Sequence, residues 1–329
     1  MTIKTNLHPL NLHNKRYDFP ALIEAHPDLK QYLVITHNQH TIDFGDANAV
    51  KSLNCALLKK YYRIDYWDIP KNFLCPPIPG RVDYIHYLAQ LLEENCIAGK
   101  MSAAKVQVLD IGTGASCIYP ILGQRVYNWR FVASDIDAVS VASSKQIISA
   151  NKGLSSKIKV LLQPDSNAFF TNIIQPGQHF ELTICNPPFH RSLQEALAGN
   201  ARKRENLQKK PRQKAHPENP GKSDVATLNF GGQKAELYCR GGELNFIKNM
   251  ITESKNFREQ VLFFSTLVSK KEHLSEIKLA LKKAKVEEFQ VIKMSQGQKI
   301  SRFITWSFLN KSRQQTWYKQ RLLPEALQE

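Results

Sequence analysis

The chain has 329 residues, of which 45 are lysine or arginine and 29 aspartate or glutamate, leaving a formal charge of +16. Hydrophobic residues make up 42%, enough for an ordinary core, which excludes global disorder and fits one large α/β domain or one domain with a sizeable extension. A positive surplus of this size repels itself unless it meets a polyanion, so nucleic acid is the leading class of partner; a solvated basic surface is the plain alternative.

No apolar run approaches ~20 residues, and the opening Met-Thr-Ile-Lys-Thr-Asn-Leu-His-Pro has no apolar stretch, so neither a membrane span nor a signal peptide is expected. Six cysteines, Cys55, Cys75, Cys96, Cys117, Cys185 and Cys239, form no Cys-x-x-Cys pair and no zinc spacing with the ten histidines. They read as reduced, mostly buried thiols of a cytoplasmic protein, and no metal site is expected.

Residues 1–30 are polar, carry Lys15, Arg16 and Tyr17, and are broken by Pro20 and Pro27. They read as a basic arm leading into short helices. Asn48 to Tyr62 has apolar residues at helical spacing and predicts an amphipathic helix. The passage Cys75-Pro76-Pro77-Ile78-Pro79-Gly80-Arg81 predicts a rigid lead-in to a second helix over 83–94. Arg81 on that lead-in is either solvated or aimed at a carboxylate. Gly99 to Lys105 read as a linker, so residues 1–104 are expected to form a mainly helical N-terminal extension.

From Val106 strands and helices alternate. Strands are expected over 106–110, 129–134, 157–163, 180–185 and 260–269, with helices near 139–151 and 243–255. Two further strands, 288–294 and 303–309, are joined by a hairpin-like connection. Alternation implies a parallel sheet, and the terminal hairpin implies one antiparallel partner. Residues 105–310 thus form one α/β domain. Within it, 198–226 reads as a basic, proline-dotted mobile loop carrying Arg202, Lys203, Arg204, Lys209, Lys210 and Arg212. Residues 311–329 are a basic tail whose fold the sequence does not assign; Lys311, Arg313, Lys319 and Arg321 are expected to join the arm and loop in contacting phosphates.

Three short motifs carry chemistry. Strand one runs into Asp110-Ile-Gly112-Thr-Gly114-Ala-Ser116, where glycines let the backbone approach a ligand closely. The third glycine of a dinucleotide fingerprint is absent, with Ile118 or Tyr119 in its place, which argues against a pyrophosphate seat and a dehydrogenase. Asp110 would repel phosphate but suits an ammonium. At the end of strand two, Asp135 can accept both hydroxyls of a ribose, and Asp137 reads as a ligand or a helix N-cap. Asp165-Ser166-Asn167 is a polar contact to an adenine or a simple turn. Last comes Asn186-Pro187-Pro188-Phe189. Two prolines end a strand and leave an amide, carbonyls and a ring at the sheet edge where ligands bind. The amide oxygen and a carbonyl can accept hydrogen bonds from a planar NH2 while the ring stacks on its bearer.

The Asn-Pro-Pro-Phe tetrapeptide resembles the substrate loop of N-methyltransferases, and Asp-Ile-Gly-Thr-Gly resembles their cofactor loop. The order of elements resembles the class I S-adenosylmethionine-dependent methyltransferase fold, a Rossmann-like seven-stranded sheet with a terminal antiparallel hairpin. Longer motifs narrow this: Trp67-Asp68-Ile69-Pro70, the run from Pro76 to His86, Cys117-Ile118-Tyr119-Pro120, Asn229-Phe230-Gly231-Gly232-Gln233, and Gln296-Gly297-Gln298 followed by Ser301-Arg302-Phe303. They resemble the ribosomal RNA large subunit methyltransferase F family, itself similar to human methyltransferase-like 16, over residues 7–310.

The resemblance implies N6-methylation of one adenine in 23S rRNA, the adenine at position 1618 of the family's substrate, with S-adenosylmethionine as cofactor. It implies free rRNA or a large-subunit assembly intermediate as partner. It also implies cofactor contacts at Arg81, Gly112, Ser116 and Asp135, beside the Asp110, Gly114, Ser166 and Asn186 read above. The adenine would be held at Asn186, Pro187, Pro188 and Phe189, and phosphates by Lys15, Arg16 and the 198–226 loop. Rival readings are methylation of guanine N2, DNA adenine or a protein glutamine, or a non-catalytic RNA-binding assembly factor.

Overall fold

The computed structural model describes residues 7–36, 38–71, 73–97, 100–188, 239, 241–296 and 299–324. In the extension, α1 (Phe19–Ala25) is followed by a short antiparallel ribbon of β1 (Leu33–Thr36) and β2 (Gln39–Ile42), then α2 (Ala47–Tyr62) and α3 (Ile78–Asn95). The ribbon is an addition the sequence reading did not name. The start of α3 lies a turn earlier than the sequence predicts. Pro79 fits the first turn of a helix, where a missing N–H costs nothing, so the proline passage opens the helix instead of preceding it. Arg81 therefore stands in the first turn of α3.

The remaining elements are β3 (Gln107–Ile111), α4 (Ile118–Tyr127), β4 (Arg130–Asp135), α5 (Ala138–Ala150), β5 (Ile158–Leu162), β6 (Phe180–Cys185), α6 (Gly242–Ser254), β7 (Val261–Leu267), α7 (Leu274–Ala284), β8 (Glu288–Gln296), β9 (Lys299–Ser307) and α8 (Lys311–Trp317). The sheet order is β5-β4-β3-β6-β7-β9-β8. All pairs from β5 to β7 are parallel, and β9 inserts antiparallel between β7 and β8. This is the expected class I methyltransferase sheet with its terminal hairpin.

Alternating side chains point to opposite faces of a strand, and the core divides accordingly. From β3, Val108 joins the cluster shared with α3, α4 and α5, whereas Leu109 and Ile111 join the cluster shared with α6 and α7. The first cluster runs without a break from Phe19 and Leu22 of α1 through α2 and α3 to the sheet. The extension is packed into the body of the domain, and the arm is pinned too. The His8 backbone N–H donates to Asp83 at 2.7 Å, and the Asn11 amide donates to Asp83 and to the Pro79 carbonyl, each at 3.0 Å.

The tail also folds back. α8 and a wider π-type turn over Tyr318–Leu322 bring Trp317 and Arg321 onto Glu181 at the amino edge of the sheet. Three of the tail's four cations are drawn into ion pairs within the chain. Lys311 pairs with Glu288, Arg313 with Glu259 and Arg321 with Glu181, while Lys319 stays exposed.

Candidate active site

The carboxyl ends of β3, β4 and β6 meet where the strand order reverses between β3 and β6, the switch point at which open α/β sheets form crevices. There a cleft of about 1130 Å³, counted to its open mouth, lies between α3, the loops after β3, β4 and β5, and the end of β6. Arg81, Gly112, Gly114, Ser116, Asp135, Ser166, Asn186 and Pro188 all line it. Residues from Arg81 to Pro188 of the chain, far apart in sequence, are thus brought to one cleft, while Asp110 lies just outside its lining.

The loop after β3 is held in a conformation that glycine favours. Gly112 and Gly114 have φ of +70° and +65°. A Cβ at Gly112 would meet nothing within 4 Å, so the demand for glycine there is conformational and leaves the wall open to a ligand. Gly112 and Thr113 donate backbone N–H groups to the Ser134 carbonyl, and Gly114 donates to the Asp135 carboxylate at 2.8 Å. The hydroxyls of Ser143 and Ser144 in α5 donate to the Ala115 and Gly114 carbonyls at 2.9 and 2.8 Å, and the Trp67 indole donates to the Ser116 carbonyl at 3.0 Å. The loop is preorganised.

Asp135 is buried. One of its oxygens accepts from Gly114 and the other from the Asp137 backbone N–H at 2.9 Å, bonds that partly offset the upward push of burial on its pKa. Each oxygen keeps a second lone pair. Asp137 is a helix cap: it accepts from the Ser140 backbone N–H at 2.8 Å and from the Ser140 hydroxyl at 2.9 Å.

Arg81 Nε and Asn186 Oδ1 have no hydrogen-bond partner among the described residues at this edge of the sheet, and the Asp110 carboxylate has only the Thr113 hydroxyl beside it, short of a well-formed bond. Buried polar groups are ordinarily paired, so such a concentration marks a place where a ligand completes the bonding. Asp110 has no solvent exposure and sits one strand residue behind the cleft wall. Burial pushes its pKa up to about 7, against the opposing pull of the Thr113 hydroxyl and the Arg81 charge. Arg81 donates to the Tyr119 hydroxyl at 2.6 Å, and its guanidinium carbon lies 5.5 Å from the Tyr119 ring centroid.

β6 ends where Pro187 forces it to end. Asn186 is half-buried, Pro188 forms part of the wall, and Pro187 is buried behind it. Phe189 lies outside the described residues, as do Arg202, Lys203, Arg204, Lys209, Lys210 and Arg212. Lys15 and Arg16 are exposed at the end of the pinned arm. The cleft also contains Tyr119, Gln163, Phe169 and Phe246, which sequence reading did not assign to it. Tyr119 had a signal, its place in the Cys-Ile-Tyr-Pro motif one turn beyond the glycine loop; the two phenylalanines come from separate elements and had none. Among the described residues no group of histidine, cysteine and acidic side chains could hold a metal ion, and no helix is long and apolar enough to cross a membrane.

A family profile described as RNA methyltransferase matches residues 1–310. Ribosomal RNA large subunit methyltransferase F of Colwellia psychrerythraea is 54% identical over 304 residues, covering 92% of this chain and 99% of the relative. The protein of the same name from Flavobacterium johnsoniae is 51% identical over 315 residues, covering 95% and 97%. Among solved structures, the human METTL16 catalytic domain in complex with MAT2A 3′UTR hairpin 1 superposes with a TM-score of 0.75 at 30% identity, covering 93% of this chain and 96% of that one. The N-terminal domain of human METTL16 in complex with SAH gives 0.70 at 26%, covering 92% and 99%.

Proposed function

Because the chain belongs to the ribosomal RNA large subunit methyltransferase F family, we propose that it transfers a methyl group from S-adenosylmethionine to N6 of one adenine in 23S rRNA, at position 1618. The observation that carries this reading is that Asn186, its side-chain oxygen unpartnered among the described residues, shares one cleft with the left-handed glycine loop.

The residues present fit the cofactor. Asp110 would meet its cationic amine, Arg81 its carboxylate, Asp135 the ribose hydroxyls and Ser166 the adenine end, with Gly112, Gly114 and Ser116 forming the wall between. When bound, S-adenosylmethionine supplies a methyl group made electrophilic by a sulfonium.

The chain's own task is to present the amine. The N6 lone pair of adenine is conjugated into the ring and is a weak nucleophile. Asn186 Oδ1 and the Pro187 carbonyl accept the two hydrogens of the amine, which favours a nitrogen closer to sp3 and turns its lone pair out of the ring plane. No strong base is required, since the proton becomes acidic only once the nitrogen is cationic, and positioning provides most of the acceleration. The base must leave its stack to reach the cleft, and Phe189 is assigned the role of replacing that stacking. Lys15 and Arg16, with the basic run from Arg202 to Arg212, hold phosphates, so RNA binding weakens steeply with salt. The substrate is free rRNA or a large-subunit assembly intermediate in the cytoplasm.

The test is transfer of labelled methyl from S-adenosylmethionine to unmodified 23S rRNA, free and in precursor particles, followed by nucleoside mapping. Label in N6-methyladenosine at one position is expected. Label on guanine N2, DNA adenine or a protein glutamine, or cofactor binding without transfer to any RNA, would overturn the reading.

A further inference from the structure

We propose that Tyr119 is a positioning residue: its hydroxyl fixes the direction of the Arg81 guanidinium and thereby sets how tightly the cleft holds the amino-acid carboxylate of S-adenosylmethionine. The proposal rests on the cofactor reading above. An arginine in the first turn of a helix has no preceding turn to pack against, and Arg81 follows Gly80, which offers it no side chain. Its guanidinium is instead held from across the cleft. Arg81 donates to the Tyr119 hydroxyl at 2.6 Å and lies over the Tyr119 ring, while its Nε has no partner among the described residues. Without the hydroxyl, the planar fork would lose the bond that orients it toward a carboxylate.

Tyr119 is itself fixed, and the path that fixes it ends at the substrate loop. Tyr119 is 4% exposed, and its ring stands edge-on to Tyr84, with centroids 5.7 Å apart at 88°. The Tyr84 hydroxyl is 2.7 Å from Ser265 Oγ. Ser265 spends its single hydroxyl proton on the Thr183 carbonyl, so Tyr84 must be the donor in the tyrosine–serine bond. The Ser265 backbone N–H also donates to Thr183 Oγ1 at 3.0 Å. Thr183 lies on β6, three residues before Asn186. The arginine is thus referenced through Tyr119, Tyr84 and Ser265 to the strand that ends in the amine-holding loop, and not to its own helix alone. One rigid path spaces the carboxylate anchor from the nitrogen that must meet the methyl group.

The experiment is calorimetric titration of wild type, Tyr119→Phe, Arg81→Ala and the double variant with two probes. S-adenosylhomocysteine carries the carboxylate; 5′-methylthioadenosine lacks the amino-acid end. Tyr119→Phe is expected to weaken S-adenosylhomocysteine about tenfold, the scale of one hydrogen bond to a charged group, and to leave methylthioadenosine within about twofold. In the Arg81→Ala background, Tyr119→Phe should change neither ligand further. A Tyr119→Phe variant that binds S-adenosylhomocysteine like wild type, or that weakens both probes equally, would overturn the proposal. Wild type that binds neither probe would overturn the cofactor reading, and this proposal with it.

Discussion

Two carboxylates without solvent exposure sit on neighbouring strands of one sheet, Asp110 on β3 and Glu181 on β6, and they are held in opposite ways. Glu181, at the amino edge, accepts from the Gln107 backbone N–H at 2.7 Å, the Trp317 indole at 3.1 Å and the Arg321 guanidinium at 3.0 Å. Asp110, at the carboxyl edge, has only the Thr113 hydroxyl beside it, short of a well-formed bond. Burial raises both pKa values, but Glu181 has three hydrogen bonds to make a buried charge tolerable, whereas Asp110 has the Thr113 hydroxyl and the Arg81 charge alone. The amino edge is a finished latch that closes the tail onto the sheet. The carboxyl edge leaves Arg81 Nε and Asn186 Oδ1 without partners among the described residues, in the walls of the cleft.

The comparison can be broken by substitutions at either edge. Asn186→Ala should cut methyl transfer by at least about a thousandfold while the thermal midpoint and S-adenosylhomocysteine affinity stay near wild type, if its side-chain oxygen serves the substrate amine more than the cofactor. Retained turnover would contradict the amine-holding role. Glu181→Ala should do the reverse. It strands a guanidinium, an indole N–H and a backbone N–H, and is expected to cost roughly 3–5 kcal/mol of stability by denaturant titration, with cofactor affinity kept in the folded fraction. At the small end, Arg313→Ala breaks an exposed pair with Glu259 and should shift stability by under about 1 kcal/mol. If it also weakened RNA binding and made its salt dependence shallower, the tail would be a phosphate contact.

Much of this was legible in the sequence where one segment carries its own signal. β6 ends at Cys185, two residues before Pro187, because proline cannot continue a ladder, and the glycine loop announces its left-handed turns. The stripe Leu274, Ile277, Leu281 and Ala284 spells out α7 at helical spacing, although the alternation reading named no helix there. What stayed hidden are pairings across long distances. The sequence displays the charge of Arg321 but not that Glu181, 140 residues away, consumes it. It displays Asp135 but not that its carboxylate also braces Gly114 and Asp137. Phe169 and Phe246 reach the cleft from unrelated elements, and only packing shows it.

The contrast between the two edges is tested most directly by Asp110→Asn, comparing S-adenosylhomocysteine affinity and thermal midpoint from pH 4 to pH 8. With its pKa raised to about 7, Asp110 keeps in the folded state a proton that the unfolded state releases above about pH 4. It therefore lowers stability progressively as pH rises from about 4 to 7, and the full penalty stands above 7. Asparagine carries no charge to bury. The account predicts that the variant matches wild-type stability near pH 4, gains roughly 2–4 kcal/mol over it at pH 8, and binds S-adenosylhomocysteine at least about tenfold more weakly. A variant that binds the ligand as tightly as wild type, or is less stable at pH 8, would contradict the claim that the buried Asp110 carboxyl serves the ligand at a cost in stability.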